Sequence, residues 1–105
     1  MTYCNFIFSN VDEIVLSVDK VAKVVSVESE NEIIVAVITK PIYSKTELDK
    51  VMNNIKFTLE VTTGKKIFLT RNMEVFCDIE NLKNGEKNVS FETIKSKVEL
   101  WEFTI

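Results

Sequence analysis

The chain contains no histidine. That removes imidazole general bases, Ser-His-Asp and Cys-His triads, and every metal site that needs a histidine ligand. Glycine is almost as scarce. With only Gly64 and Gly85, no glycine-rich loop can wrap a phosphate. Cys4 and Cys77 are too few for a four-thiolate zinc site, and two reduced thiols are expected rather than a disulfide. Arg71 is the one arginine among 13 basic residues. Arginine forks are the usual means of bidentate phosphate recognition. A formal net charge of -3 also opposes non-specific attraction to DNA or to an anionic membrane. No cofactor, no metal and no nucleic-acid partner is therefore expected.

Long apolar runs are missing too. The longest compact one, Ile33 to Ile38, is strand-sized, against the roughly 18 residues a membrane helix needs. No membrane span is expected. No basic stretch followed by an apolar core opens the chain. The expected location is cytoplasmic as the chain stands, and envelope-associated if a leader has been removed.

What is present is an ordinary globular balance. The 105 residues are 46% hydrophobic and 28% charged, which suits one domain, 1–105, with its own core. No linker, repeat or low-complexity tract interrupts it.

Thr2 to Ser9 is rich in aromatic and β-prone residues and reads as a strand. Asn10 then stands as an N-cap, with Asp12 and Glu13 in the first turn. Val11, Ile14, Val15, Val18, Val21, Ala22 and Val25 follow at helical spacing, which predicts a helix from Val11 to about Val24. Its many β-branched valines lower helix propensity, so tertiary packing must hold it. Val24 to Glu28 alternates and predicts a strand, with a turn at Ser29-Glu30-Asn31. Glu32 to Lys40 is the clearest strand, apolar on both faces and so expected to be central and covered. Pro41 ends it.

Ser44 and Glu47 stand at capping-box spacing. Leu48, Val51, Met52, Ile55, Leu59 and Val61 trace one face of a helix from about Lys45 to Thr62, with Gly64 as its stop. Lys66 to Thr70 is the next strand. Asn72 caps a helix carrying Val75, Phe76, Ile79 and Leu82, ended by Asn84-Gly85. The tail from Val89 to Ile105 reads two ways: Ser90 as the cap of a helix carrying Phe91, Ile94, Val98 and Trp101, or Val98 to Ile105 as a strand. The reading preferred is a helix to about Lys97 followed by a strand or extended segment.

This order predicts an α+β domain: a ferredoxin-like βαββαβ antiparallel sheet with two helices on one face, plus C-terminal helical and extended additions. If the tail covers the other face, the domain becomes a three-layer sandwich. The expected core is Phe6, Ile14, Val18, Val21, Ile34, Ala36, Ile38, Leu48, Val51, Ile55, Ile67, Leu69, Phe76 and Ile79.

Candidate chemistry is sparse. Phe6 and Phe8 faintly resemble a base-stacking strand of an RNA-recognition domain, but Glu32 to Lys40 lacks the matching aromatics. Cys77 sits among Glu74, Asp78 and Glu80, which discourage a thiolate, so a small buried hydrophobe is expected there. Asp12-Glu13 and the Glu28, Glu30, Glu32 cluster lack the spacing and glycine of a calcium loop. An enzyme would have to use Asp, Glu, Lys or Tyr43 in a pocket at an oligomer interface. Two features suit protein contacts. Lys65, Lys66 and Arg71 flank one strand and could dock an acidic partner. Leu100, Trp101, Phe103 and Ile105 form an apolar C-terminus that either docks on the core or meets a partner.

A family resemblance adds to this reading. Asp19 to Val37 resembles the first half of the sporulation-associated YhcN/YlaJ-type lipoprotein domain: a helix, a Val-rich strand, a short turn with Asn, and a strand ending in Val35-Ala36-Val37. Lys66 to Gly85 resembles its second half, through Ile67, Leu69, Thr70, Phe76, Asn84 and Gly85. Phe91, Ile94, Val98 and Phe103 match its amphipathic end. The resemblance implies a non-enzymatic module of a spore-forming bacterium that assembles with itself, as a homodimer for instance, or with envelope proteins. The rival expectation is a small phage or mobile-element inhibitor that binds and blocks a host protein.

Overall fold

The computed structural model describes residues 11–85 and 89–104, the side chains of 99–104 excepted. The strand expected at Thr2 to Ser9, with Phe6 in the core, lies outside the described residues. The elements run α1 (Val11–Leu16), β1 (Val21–Glu28), β2 (Glu32–Thr39), α2 (Lys45–Thr63), β3 (Lys66–Thr70), α3 (Met73–Lys83) and α4 (Phe91–Thr104). The class is α+β.

The sheet has the order β1-β2-β3. β1 pairs antiparallel with β2 through a hairpin closed by the Ser29 N–H donating to the Glu32 carbonyl at 2.8 Å. β2 and β3 run parallel as direct neighbours, from Glu32 opposite Lys66 to Ala36 opposite Thr70. The described sheet is thus three-stranded and mixed, and the expected four-stranded antiparallel ferredoxin-like sheet is not what these residues form. The reason is the connection. Parallel strands need a long crossover, and the 19-residue α2 supplies one that sets β3 directly against β2.

β2 carries the core on both faces. Ile33, Val35 and Val37 pack with Val11 and Val15 of α1, Ile55 and Leu59 of α2, and Ile67 and Leu69 of β3. Ile34 and Ala36 pack on the opposite side with Phe68, with Val75, Phe76 and Ile79 of α3, and with Ile94 and Val98 of α4. Two helices cover each face, which is the three-layer outcome that β2's apolar run suggested. Among the expected core residues, Val21, Ile34, Ala36, Ile55, Ile67, Leu69, Phe76 and Ile79 are buried, while Ile14, Val18, Ile38 and Val51 are half-buried against the clusters. Leu48 is half-buried as well.

Two expected boundaries are corrected. The first helix stops at Leu16 rather than Val24. The Ser17 hydroxyl donates to the Ile14 carbonyl at 2.6 Å, a local bond that competes with helix propagation. The misleading feature beyond it is a register shift between Val21 and Lys23. A bulge resets the alternation of a strand. Val21 and Val25, read as one helical face, therefore fall on opposite faces of the strand, Val21 in the first cluster and Val25 against the second. The second correction is at the C-terminus, where α4 continues to Thr104 in place of an extended segment. Phe91, Ile94 and Val98, packed against the second core cluster, show the helical spacing that α4 continues.

Three expected caps fall where the sequence placed them, while Asn10, the expected cap of the first helix, lies outside the described residues. The Ser44 hydroxyl accepts from the Glu47 N–H at 3.3 Å, and the Asn72 side chain accepts from the N–H groups of Glu74 and Val75. The Ser90 hydroxyl accepts from the Thr93 N–H. Gly64 ends α2 at φ 70°, a left-handed conformation that favours glycine, and its N–H donates to the Glu60 carbonyl. Among the described residues, no helix is long and apolar enough to cross a membrane.

Truncating Leu59 or Ile34, each fully buried in one of the two clusters, to alanine is expected to cost about 2–5 kcal/mol in denaturant unfolding. Phe57→Ala, on the exposed side of α2, should stay within about 0.5 kcal/mol. Asn72→Ala should cost about 1 kcal/mol, the usual loss when a side chain capping two amides is removed.

Candidate functional site

The helical period decides what α2 offers to solvent. Ile55 and Leu59 face the sheet, with Val51 and Met52 beside them. At about 100° per residue, Phe57 lies about 200° around the helix from Ile55, and Val61 lies about 40° from Phe57. Both therefore point outward, Phe57 at 66% and Val61 at 68% exposure. This corrects the assignment of Val61 to the buried face. The sequence signal was available, because Phe57 breaks the inward spacing that Ile55 and Leu59 define.

Between α1 and α2 lies an open cavity of about 170 Å³. Ile14, Val15, Val18 and Ile55 give it an apolar lining, and Ser17, Asn54 and Thr58 supply polar groups. Asn54 and Thr58 lie one turn before and one residue after Phe57 along α2. Leu16, next to the lining residues of α1, is half exposed. No titratable side chain lines this cavity. Its lining suits contact with an apolar group, with Ser17, Asn54 and Thr58 able to hydrogen-bond.

The basic residues singled out in the sequence are not brought together. Lys65 and Lys66 stand at the start of β3 and Arg71 just past its end. Five residues of strand separate Lys66 from Arg71 by about 16 Å. Each has a local contact. The Lys65 ammonium donates to the Ser29 carbonyl at 2.7 Å and lies 3.5 Å from Glu28. The Lys66 ammonium sits 5.0 Å from the centroid of the Phe68 ring. The Arg71 guanidinium donates to the Thr39 hydroxyl at 3.1 Å. Leu100, Trp101 and Phe103 lie on α4, with side chains outside the described set, and Ile105 lies outside the described residues.

The acidic residues join elements. Asp12 accepts from the Ser26 hydroxyl at 2.9 Å and lies 3.7 Å from the Lys83 ammonium. α1 and α3 belong to opposite layers, so this ion pair passes beside β1, at the edge of the described sheet. Glu32 at the start of β2 pairs with Lys95 of α4 at 2.8 Å. Lys97 of α4 bonds Asp78 at 2.6 Å and Glu74 at 3.1 Å, both on α3. The hydrogen bond to Asp78, then that to Glu74, raises the Lys97 pKa above the ordinary 10.5. Among the described residues, no group of three or more Cys, Asp or Glu is placed to hold a metal ion. Cys77 is a free thiol and exposed, not the buried hydrophobe expected. Val75, Phe76 and Ile79 take the sheet-facing positions of α3, which turns Cys77 outward.

Comparison with protein-family models, with curated proteins and with solved structures gives no match.

A raised lysine pKa in the folded state means that the contribution of Lys97 is complete below 10.5 and is lost as pH rises through the folded value. The melting temperature of the wild type should exceed that of Lys97→Met near neutral pH, and the gap should close in strongly alkaline buffer. An equal gap at both pH values would sink this assignment.

Proposed function

We propose that the chain is a non-enzymatic protein-binding module that assembles with itself through the outward face of α2 and the neighbouring α1–α2 cavity. The observation that carries this reading is the exposed pair Phe57 and Val61, one turn apart on a helix whose other face packs Ile55 and Leu59 into the core. Large apolar residues that meet solvent side by side are typical of contact surfaces, because burying them on association recovers the hydrophobic free energy that folding left unused. The adjacent cavity is lined by aliphatic side chains and is open, so it suits an inserted apolar side chain.

The apolar C-terminal residues Leu100, Trp101, Phe103 and Ile105 form a second contact surface in this proposal. Their support is their composition, four large apolar residues close together in the sequence. The resemblance to the YhcN/YlaJ-type domain supplies the setting: sporulation in a spore-forming bacterium, with assembly partners in the envelope. Charge arrangement gives less support to the inhibitor alternative. The acidic residues are interleaved with lysines in pairs on several elements, as in Asp12–Lys83, Glu28–Lys65 and Glu32–Lys95, rather than gathered into one negative face.

The test is the mass in solution by light scattering, from micromolar to millimolar protein. The wild type is expected to shift from monomer to dimer or larger. Phe57→Ser with Val61→Ser should remain monomeric while unfolding at the wild-type denaturant midpoint. Trp101→Ser measures the second surface separately. A wild type that stays monomeric throughout would overturn self-assembly. Substrate turnover abolished by a point mutation would overturn the non-enzymatic reading.

A further inference from the structure

We draw no further inference here: the strongest candidate, the apolar cavity between α1 and α2 lined by Ile14, Val18 and Ile55, belongs to the contact surface already proposed, and nothing in the structure shows what covers it.

Discussion

Burial of β2 on both faces is the constraint from which the rest of the architecture follows. Ile33 to Val37 are each at most 1% exposed. A strand of this kind cannot sit on a two-layer domain with one wet face, because the side chains that alternate away from the core would meet water. It demands helices above and below. α1 and α2 meet Ile33, Val35 and Val37 on one side, and α3 and α4 meet Ile34 and Ala36 on the other. The parallel partner β3 shares this property, with Ile67 and Leu69 in one cluster and Phe68 in the other. Both neighbours of the α2 crossover are thereby anchored.

The charged groups organise themselves around this apolar plan. Their ion pairs connect elements that hydrophobic packing has already brought close, and they sit at the margins where water still reaches. Lys97 reaches two carboxylates on α3, and Lys95 reaches the start of β2, so α4 is oriented by two separate contacts as well as by Ile94 and Val98. These pairs are partly buried, and each joins α4 to an element that packing has already set beside it. Lys66 and Lys95 also both stand over Phe68, so the one aromatic ring in β3 is capped by cations where it approaches the surface.

Much of this was legible in the residues because local chemistry and global packing agree. Ser44, Asn72 and Ser90 cap helices at the expected places, and Gly64 stops α2, since side-chain oxygens and a left-handed glycine act within a few residues of themselves. The run from Glu32 announced a covered strand. Where reading failed, a longer-range effect intervened. Val21 and Val25 recur at helical spacing but serve opposite faces of a bulged strand, and no window of sequence distinguishes that from a real helical face. Val61 was misread for the opposite reason: it is apolar, and an apolar residue on an amphipathic helix is naturally counted into its buried side, although its spacing from Ile55 and Leu59 sets it beside the outward Phe57. The three basic residues near β3 looked like a patch because they are close in sequence, whereas an extended strand holds its two ends far apart.

The sequence by itself determined the turns, the caps, the apolar strand at the centre and the exclusion of histidine chemistry, because each depends on residue type and near neighbours. Tertiary structure alone decided the parallel contact of β2 with β3, the division of the four described helices between two faces, and the outward aim of Val61 and Cys77. Those depend on which faces find partners. That choice is made by the burial of distant side chains against one another, and hydrophobic association has no direction written into the local chain.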